Sequence, residues 1–514
     1  MVKRNILSYI FSNFAEFLYI YINITNRIMT TFIVALLCLI TGYFIYGSFV
    51  ERIFAIDKNR QTPCYASQDG VDFTPMPTWK VYLIQFLNIA GTGPIFGTIQ
   101  GILFGPAAYL WIVLGCIFGG AVHDYMSGMM SIRRNGESLP EIVGDELGTK
   151  ARGFMCILSM ILMVLVGNVF ATTPAGLLAD LTTSWGTFGS YAFWVVVIFL
   201  YYFLATLLPI DKLIGKIYPL FGLALLVMAV GVLYGIFTQA GNMPEITDAF
   251  SNHHPKSDIP IFPGLCITIA CGAVSGFHAT QSPMMARCIK NEKYGRPVFY
   301  GAMITEGVVA LIWAAAAIKF ADSLPVDGNT PYEKLMNALT GNGAHGVNPA
   351  IIVNELCNSW LGTVGAVLAI LGVVAAPITT GDTAFRCARL IIADFIHFPQ
   401  TKTYQRIILA LPVFAAAILL MSVDFSVIWR YFAWTNQTLS VFTLWAITVW
   451  LAKVRKLYVI TLIPALFMTM VCTTYIFIAP EGLHLAQGIS YLLGGAVTIV
   501  CLAMFAKWHI AKKK

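Results

Sequence analysis

Charge is what this chain has least of. Asp, Glu, Lys and Arg make up 11% of its 514 residues, where a soluble domain carries roughly 25%. That scarcity, with 58% apolar residues, excludes a cytosolic enzyme, a nucleic-acid-binding protein and a disordered scaffold. The net charge of +7 is no nucleic-acid footprint, because the basic residues sit in short loops between apolar runs. Strand-like alternation of apolar and polar residues is also missing, which excludes a β-barrel. The 11 cysteines are scattered without a CxxC and read as small apolar side chains rather than a disulfide set. HExxH, Walker A, nucleophile-elbow and soluble-repeat patterns are absent as well. The sequence therefore predicts a protein that is not an enzyme and carries no cofactor. No cleavable signal is evident.

What is present is long, unbroken apolar sequence. A spanning helix needs about 20 apolar residues, and about 13 such segments can be placed: 30–50, 81–103, 107–131, 154–172, 189–208, 214–238, 260–281, 298–320, 361–380, 405–421, 424–450, 457–478 and 487–506. The predicted class is an all-α polytopic membrane protein. Lys and Arg are concentrated in every second loop, 25 against 3 (Lys256, Lys319 and Lys334) from Met29 onward, with Arg430 left inside a span. The positive-inside rule then places the C-terminus in the cytoplasm. Residues 1–28 form an extension read as an interfacial helix, an extra span over 5–24, or sequence upstream of the true start, for which Met29 is a natural initiator.

Two segments make poor continuous helices. Span 81–103 contains Ala90-Gly91-Thr92-Gly93-Pro94, and span 260–281 runs through Ser275-Gly276-Phe277-His278 into Thr280-Gln281-Ser282-Pro283. Glycine weakens a helix and proline removes a donor. Freed backbone at membrane depth is tolerated only where it faces protein or a cavity. A kinked packing helix is the plainer reading of the first. As a pair, five spans apart and opposed in direction, they point to a LeuT-type 5+5 inverted repeat. The expected organisation is a first helix and cytoplasmic loop at 29–80, repeats at 81–238 and 260–450, an extracytoplasmic loop at 239–259, and two further helices with a basic tail at 451–514. The substrate would meet Asn88, Ala90, Gly91, Thr92 and Gly93 on the first break, and Ser275, Gly276, Phe277, His278 and Gln281 on the second.

Ionisable residues inside spans are costly and mark function by default. His123, Asp124, Glu306, Asp382 and Arg430 are the candidates for proton coupling or gating. His123-Asp124 also reads as an interfacial pair wetted from the cytoplasm, Glu306 and His278 as structural partners, and Arg430 as pairing either a substrate carboxylate or a buried acid. Ala376, Thr379 and Thr380 have the spacing of a sodium site in the LeuT-type scheme.

The blocks IDKNRQTPCYASQDGVDFTPMPTWKVYLIQFLNIAGTGPIFGTIQG, AVHDYMSGMMSIRRNGESLPEIVGDELG, SGFHATQSPMMARCIKNEKYGRPVFYGAMITEG, TTGDTAFRCARLIIADF and WRYFAWTNQTLS resemble the carbon starvation protein A (CstA) family. The resemblance covers roughly residues 30–450. It implies uptake of small peptides or a pyruvate-like carboxylate across the bacterial inner membrane during nutrient starvation, driven by protons. It also implies the fold of amino acid–polyamine–cation transporters. Long family members tend toward GAGP and TAVD where this chain has GTGP and TTGD, so their substrate preference does not transfer. The competing functions are a starvation sensor without flux, a sodium-coupled amino-acid symporter and a passive channel. The expected partners are the small-molecule substrate and the lipid bilayer, with H+ or Na+ as coupling ion.

Overall fold

The computed structural model describes residues 29–207, 214–341, 349–400, 402–423 and 425–513. The expected extra span within 5–24 lies outside them. Every element among the described residues is helical. Among the described residues, eight helices are long and apolar enough to cross a membrane, or nine if one bent pair counts as a single span. This is a multi-pass membrane protein.

The first apolar run is divided at Ile45 into α1 (Thr30–Phe44) and α2 (Tyr46–Phe54). Glu245 accepts from the Thr30 and Thr31 N–H groups at 3.1 and 3.0 Å, satisfying donors that a helix start leaves free. After a short helix α3 (Pro63–Ala66), the second run gives α4 (Thr78–Ala90) and α5 (Gly93–Gly101). A π-helical turn at Gly115–Gly120 joins α6 (Ala107–Leu114) to α7 (Ala121–Arg133). Then come α8 (Leu139–Leu147), α9 (Thr149–Leu181), α10 (Tyr191–Leu207) and α11 (Ile214–Thr238).

The next apolar run is again divided, into α12 (Ile261–Thr268) and α13 (Gly276–Ala286). The almost wholly buried α14 (Gly301–Phe320) follows, packed against α1, α4, α5 and α11. Beyond the peripheral α15 (Pro331–Thr340), α16 (Pro349–Ile370) continues through a π-helical turn into α17 (Ala376–Ile396). The chain ends with α18 (Thr403–Leu420), α19 (Phe425–Lys453), α20 (Val459–Ile478) and α21 (Gln487–Lys513). The π turns place small or apolar residues where helices cross closely, a common device at functional sites.

Two expectations about spans need correction. Arg386 and Arg389 are not in a loop after a span ending at 380. They lie within α17, fully buried, because Asp72 reaches in from the 55–77 segment and pairs with them at 3.1 and 3.2 Å. The interruption in the second divided helix also falls earlier than Ser275–Pro283. It occupies residues 269–275, and Pro283 sits inside α13.

Candidate functional site

The two interruptions are the organising feature of the site. Gly91, between α4 and α5, has φ 49° and ψ −136°, which a side chain resists. A Cβ there would also press on the Phe170 ring at 3.1 Å and Thr380 Oγ1 at 3.2 Å. Between α12 and α13, Gly272 has φ +92°, and its Cβ would lie 2.5 Å from that of Ala310. Gly93, Gly97 and Gly101 form one stripe of α5, pressed onto Thr268 at the end of α12 and onto Ile269 and Cys271 of the second interruption. The two irregular segments are therefore in direct contact.

Freed backbone groups must find partners inside the protein. Two neighbouring residues of α19 supply them. Asn436 Oδ1 accepts from the Phe277 N–H at 2.7 Å and from Ser275 Oγ at 3.1 Å, holding the start of α13. Gln437 Nε2 donates to the Cys266 carbonyl at 3.1 Å, holding the end of α12. Trp111 Nε1 donates to the Ile269 carbonyl at 2.9 Å. Asn436 and Gln437 belong to the WRYFAWTNQTLS block, and nothing in their local sequence assigns them to this break.

A chain of acids and imidazoles runs from this break into α7 and α14. Asp124 faces His123 Nδ1 at 2.8 Å through one oxygen and His278 Nδ1 at 2.9 Å through the other. The far side of the same imidazole, His278 Nε2, lies 3.4 Å from Glu306 Oε2. All four side chains are fully buried, so His123-Asp124 is not wetted from the cytoplasm. If both imidazoles donate from Nδ1 to Asp124, one further proton belongs to the His278–Glu306 contact. It resides either on the carboxyl or on the imidazole. Without it, a carboxylate would face an imidazole lone pair in a fully buried place, with the Asp124 charge close by. On that assignment the His278–Glu306 contact can take one proton in two arrangements. Cys271 Sγ lies with the His278 and Glu306 ligand atoms within 4.8 Å. Thiol, imidazole and carboxylate are metal-binding types, and His278 Nε2 and both Glu306 oxygens have no hydrogen-bond partner among the described residues.

Other expected residues form separate groups. Thr380 Oγ1 donates toward Leu87 O at 3.1 Å and Ala376 O at 3.0 Å, while Thr379 Oγ1 donates to Ala376 O at 2.7 Å. These oxygens gather beside the first interruption. Asp382 accepts from the Tyr218 hydroxyl, which also reaches Thr379 O, and stands apart from the His278 chain. Gln281 is on α13, accepting from Cys387 Sγ at 3.3 Å and facing Met163. Asn88 is buried with neither amide atom bonded, and so is Gln85, one turn earlier on α4, which sequence reading passed over. Thr92 Oγ1, in the interruption itself, is likewise unpartnered. Buried polar atoms without partners are rare and need a reason.

A cavity of about 170 Å³ lies between α5, the second interruption and the N-terminal part of α19. Gly93, Gln100, Cys271, Arg430 and Tyr475 are among its lining residues. Arg430 is exposed, and it pairs with no acid among the described residues. Ala90, Gly91, Ser275, Gly276, Phe277 and His278 surround the interruptions without lining this cavity.

In overall shape the chain resembles solved secondary transporters. A nucleobase-cation-symport-1 family transporter in a closed conformation aligns with a TM-score of 0.51 and 14% identity, over 88% of this chain and 96% of that one. A Na+-coupled sialic acid symporter aligns with a TM-score of 0.50 and 14% identity, over 90% and 96%. These likenesses concern the LeuT-like fold alone. In sequence, an uncharacterized membrane protein of Haemophilus influenzae is 46% identical over 341 residues, 57% of this chain and 92% of that protein. The Bacillus subtilis peptide transporter CstA is 26% identical over 92% of this chain and 94% of its own. The Escherichia coli pyruvate/proton symporter BtsT is 27% identical over 62% of this chain, and only 53% of that protein is covered. Residues 27–193 and 187–348 match the family described as carbon starvation protein CstA, and with well over half its length matched, the chain belongs to that family.

Proposed function

We propose that this protein is a secondary active transporter that imports a small carboxylate or short peptide across the inner membrane, with a proton as the coupling ion. One observation carries the reading: two interrupted helices touch at their breaks, and a buried acid–imidazole chain begins at one of them. An interruption exposes N–H and C=O groups that recognise charged ends of a substrate. The adjoining chain has one mobile proton between His278 and Glu306, so occupancy at the break and protonation can influence each other. The α4–α11 and α12–α19 units are read as inverted repeats, with the C-terminus in the cytoplasm on the charge asymmetry of the loops. The coupling role goes to His123, Asp124, His278 and Glu306. Gln85 joins Asn88 and Thr92 as a substrate contact because the buried polar atoms of all three lack partners.

Sodium coupling is the second reading. It is favoured by the convergence of Leu87 O, Ala376 O, Thr379 Oγ1 and Thr380 Oγ1 beside Gly91.

Counterflow and gradient-driven uptake in proteoliposomes separate these readings. Labelled dipeptides and pyruvate are offered with a pH gradient, a sodium gradient or neither. Accumulation that collapses with a proton uncoupler supports the proton reading. Accumulation that follows sodium alone replaces it with the second. Binding with no flux under any gradient overturns transport in favour of a sensor.

A further inference from the structure

The cavity beside Arg430 has a polarity that the transporter reading does not use. Arg430 is its single cationic lining residue. The hydroxyl hydrogens of Tyr475 and Thr268 are committed elsewhere, and Gln100 keeps one N–H as well as its oxygen. Tyr475 donates its hydroxyl proton to Glu481 Oε1 at 2.5 Å, and Thr268 donates its own to the Gly264 carbonyl at 2.9 Å. Gln100 spends one amide N–H on the Phe96 carbonyl at 3.2 Å and keeps its carbonyl oxygen. What these three side chains chiefly offer a ligand is therefore oxygen lone pairs. Lone pairs accept from an ammonium or hydroxyl group and repel a keto oxygen. The guanidinium is suited to a carboxylate, which it can meet with two parallel N–H donors.

We propose that this cavity binds a small zwitterion of the α-amino-acid type, its carboxylate on Arg430 and its ammonium group among the oxygens of Gln100, Thr268 and Tyr475. Size limits the ligand further. The cavity, about 170 Å³, is smaller than the roughly 300–1,000 Å³ of sites for drug-sized ligands, so a compact amino acid fits and an extended peptide does not. Cys271, in the second interruption, forms part of the same wall. A ligand here would sit one residue layer from the His278–Glu306 contact. The proposal rests on the transporter reading for its purpose and narrows the cargo.

The test uses the full chain in lipid nanodiscs and four ligands with one carbon skeleton: alanine, lactate, pyruvate and propionate. Isothermal titration is expected to rank alanine first, then lactate, with pyruvate and propionate weaker than alanine by roughly tenfold or more. Arg430→Gln is expected to weaken alanine by at least about tenfold, and Arg430→Lys by less. The exposed, unpaired position of Arg430 makes both variants compatible with folding, which unchanged thermal unfolding would verify. Pyruvate binding as tightly as alanine, no binding by any of the four, or an Arg430→Gln protein that binds alanine like the parent would each overturn the proposal. Failure of the transporter reading is distinct: it is alanine binding with the predicted Arg430 dependence but no gradient-driven flux.

Discussion

The carboxamide oxygen of Asn436 receives the backbone N–H of Phe277 at 2.7 Å, and the next residue, Gln437, serves the carbonyl of Cys266 on the other side of the same interruption. One turn of α19 thus clamps both ends of a helix that has come apart. Asn436→Ala leaves the Phe277 N–H and the Ser275 hydroxyl without this acceptor in a fully buried place. The expected loss is about 1–3 kcal/mol, seen as a lower unfolding temperature in detergent, with uptake falling further than stability. Asn436→Asp keeps the acceptor, and is expected to retain more of the fold than Asn436→Ala. Equal behaviour of the two variants would mean that the clamp does not depend on acceptance.

Close approach of α5 to the second interruption depends on glycine. A Cβ at Gly101 would run into the side chain of Ile269. Gly101→Ala is expected to cost about 1–3 kcal/mol through overpacking. Ile269→Ala in the same chain removes the atoms struck and is expected to recover part of that loss. Thermal unfolding of the two single variants and the double variant measures this as a coupling between neighbours. Strict additivity would show that the two helices part at no cost.

How much of this was legible beforehand depends on the range of the interaction. Gly91 and Pro94 announce an interruption locally, and the structure has one there. The expected place of the second break, Ser275–Pro283, rests on its glycine, its polar residues and its proline, and the helix there is continuous from Gly276. A proline removes only its own donor, and α13 accommodates it while Ser282 Oγ donates to the His278 carbonyl at 3.0 Å. The residues that break this helix, around Gly272, lie in an otherwise ordinary apolar run. His123, Asp124, His278 and Glu306 were each conspicuous as ionisable groups in spans. Their union was not readable, because α7, α13 and α14 meet only in three dimensions. The same reason hid Asp72, which looks like a loop residue and is a counter-ion for membrane helices.

Asp72 gives a prediction about pH. Burial alone would push its carboxyl up, but the guanidinium groups of Arg389, Arg386 and Arg287 outweigh that and hold it at about 2, below the ordinary value of about 3.9. A carboxylate with a lowered folded-state pKa contributes stability above its unfolded value and loses it as pH falls through the folded one. This contribution should be constant above about pH 5 and vanish between about 4 and 2. Asp72→Asn removes the shared carboxylate of two buried arginines and is expected to destabilise by about 3–5 kcal/mol at neutral pH. Its stability should also vary less than the parent's across the acid range. Identical acid profiles for parent and variant would show that Asp72 does not carry this charge in the folded protein.

The contact between His278 and Glu306 gives the sharpest expectation about mechanism. Glu306→Gln keeps the size of the side chain and an amide that can face His278 Nε2, but it has no site for an exchangeable proton. If protonation there couples to transport, this variant should still exchange labelled substrate across a vesicle at equal pH. It should fail to accumulate substrate when a pH gradient is imposed. His278→Ala differs, because it separates Asp124 from Glu306 and leaves both buried carboxyls without the imidazole between them. It should therefore lose stability as well as accumulation, by about 3 kcal/mol or more on the scale of a broken buried ion pair. Exchange, accumulation and unfolding temperature measured on one preparation separate the two effects. A Glu306→Gln protein that still concentrates substrate along a proton gradient would place the coupling proton elsewhere in the chain, with Asp382 and its Tyr218 partner the next group to test.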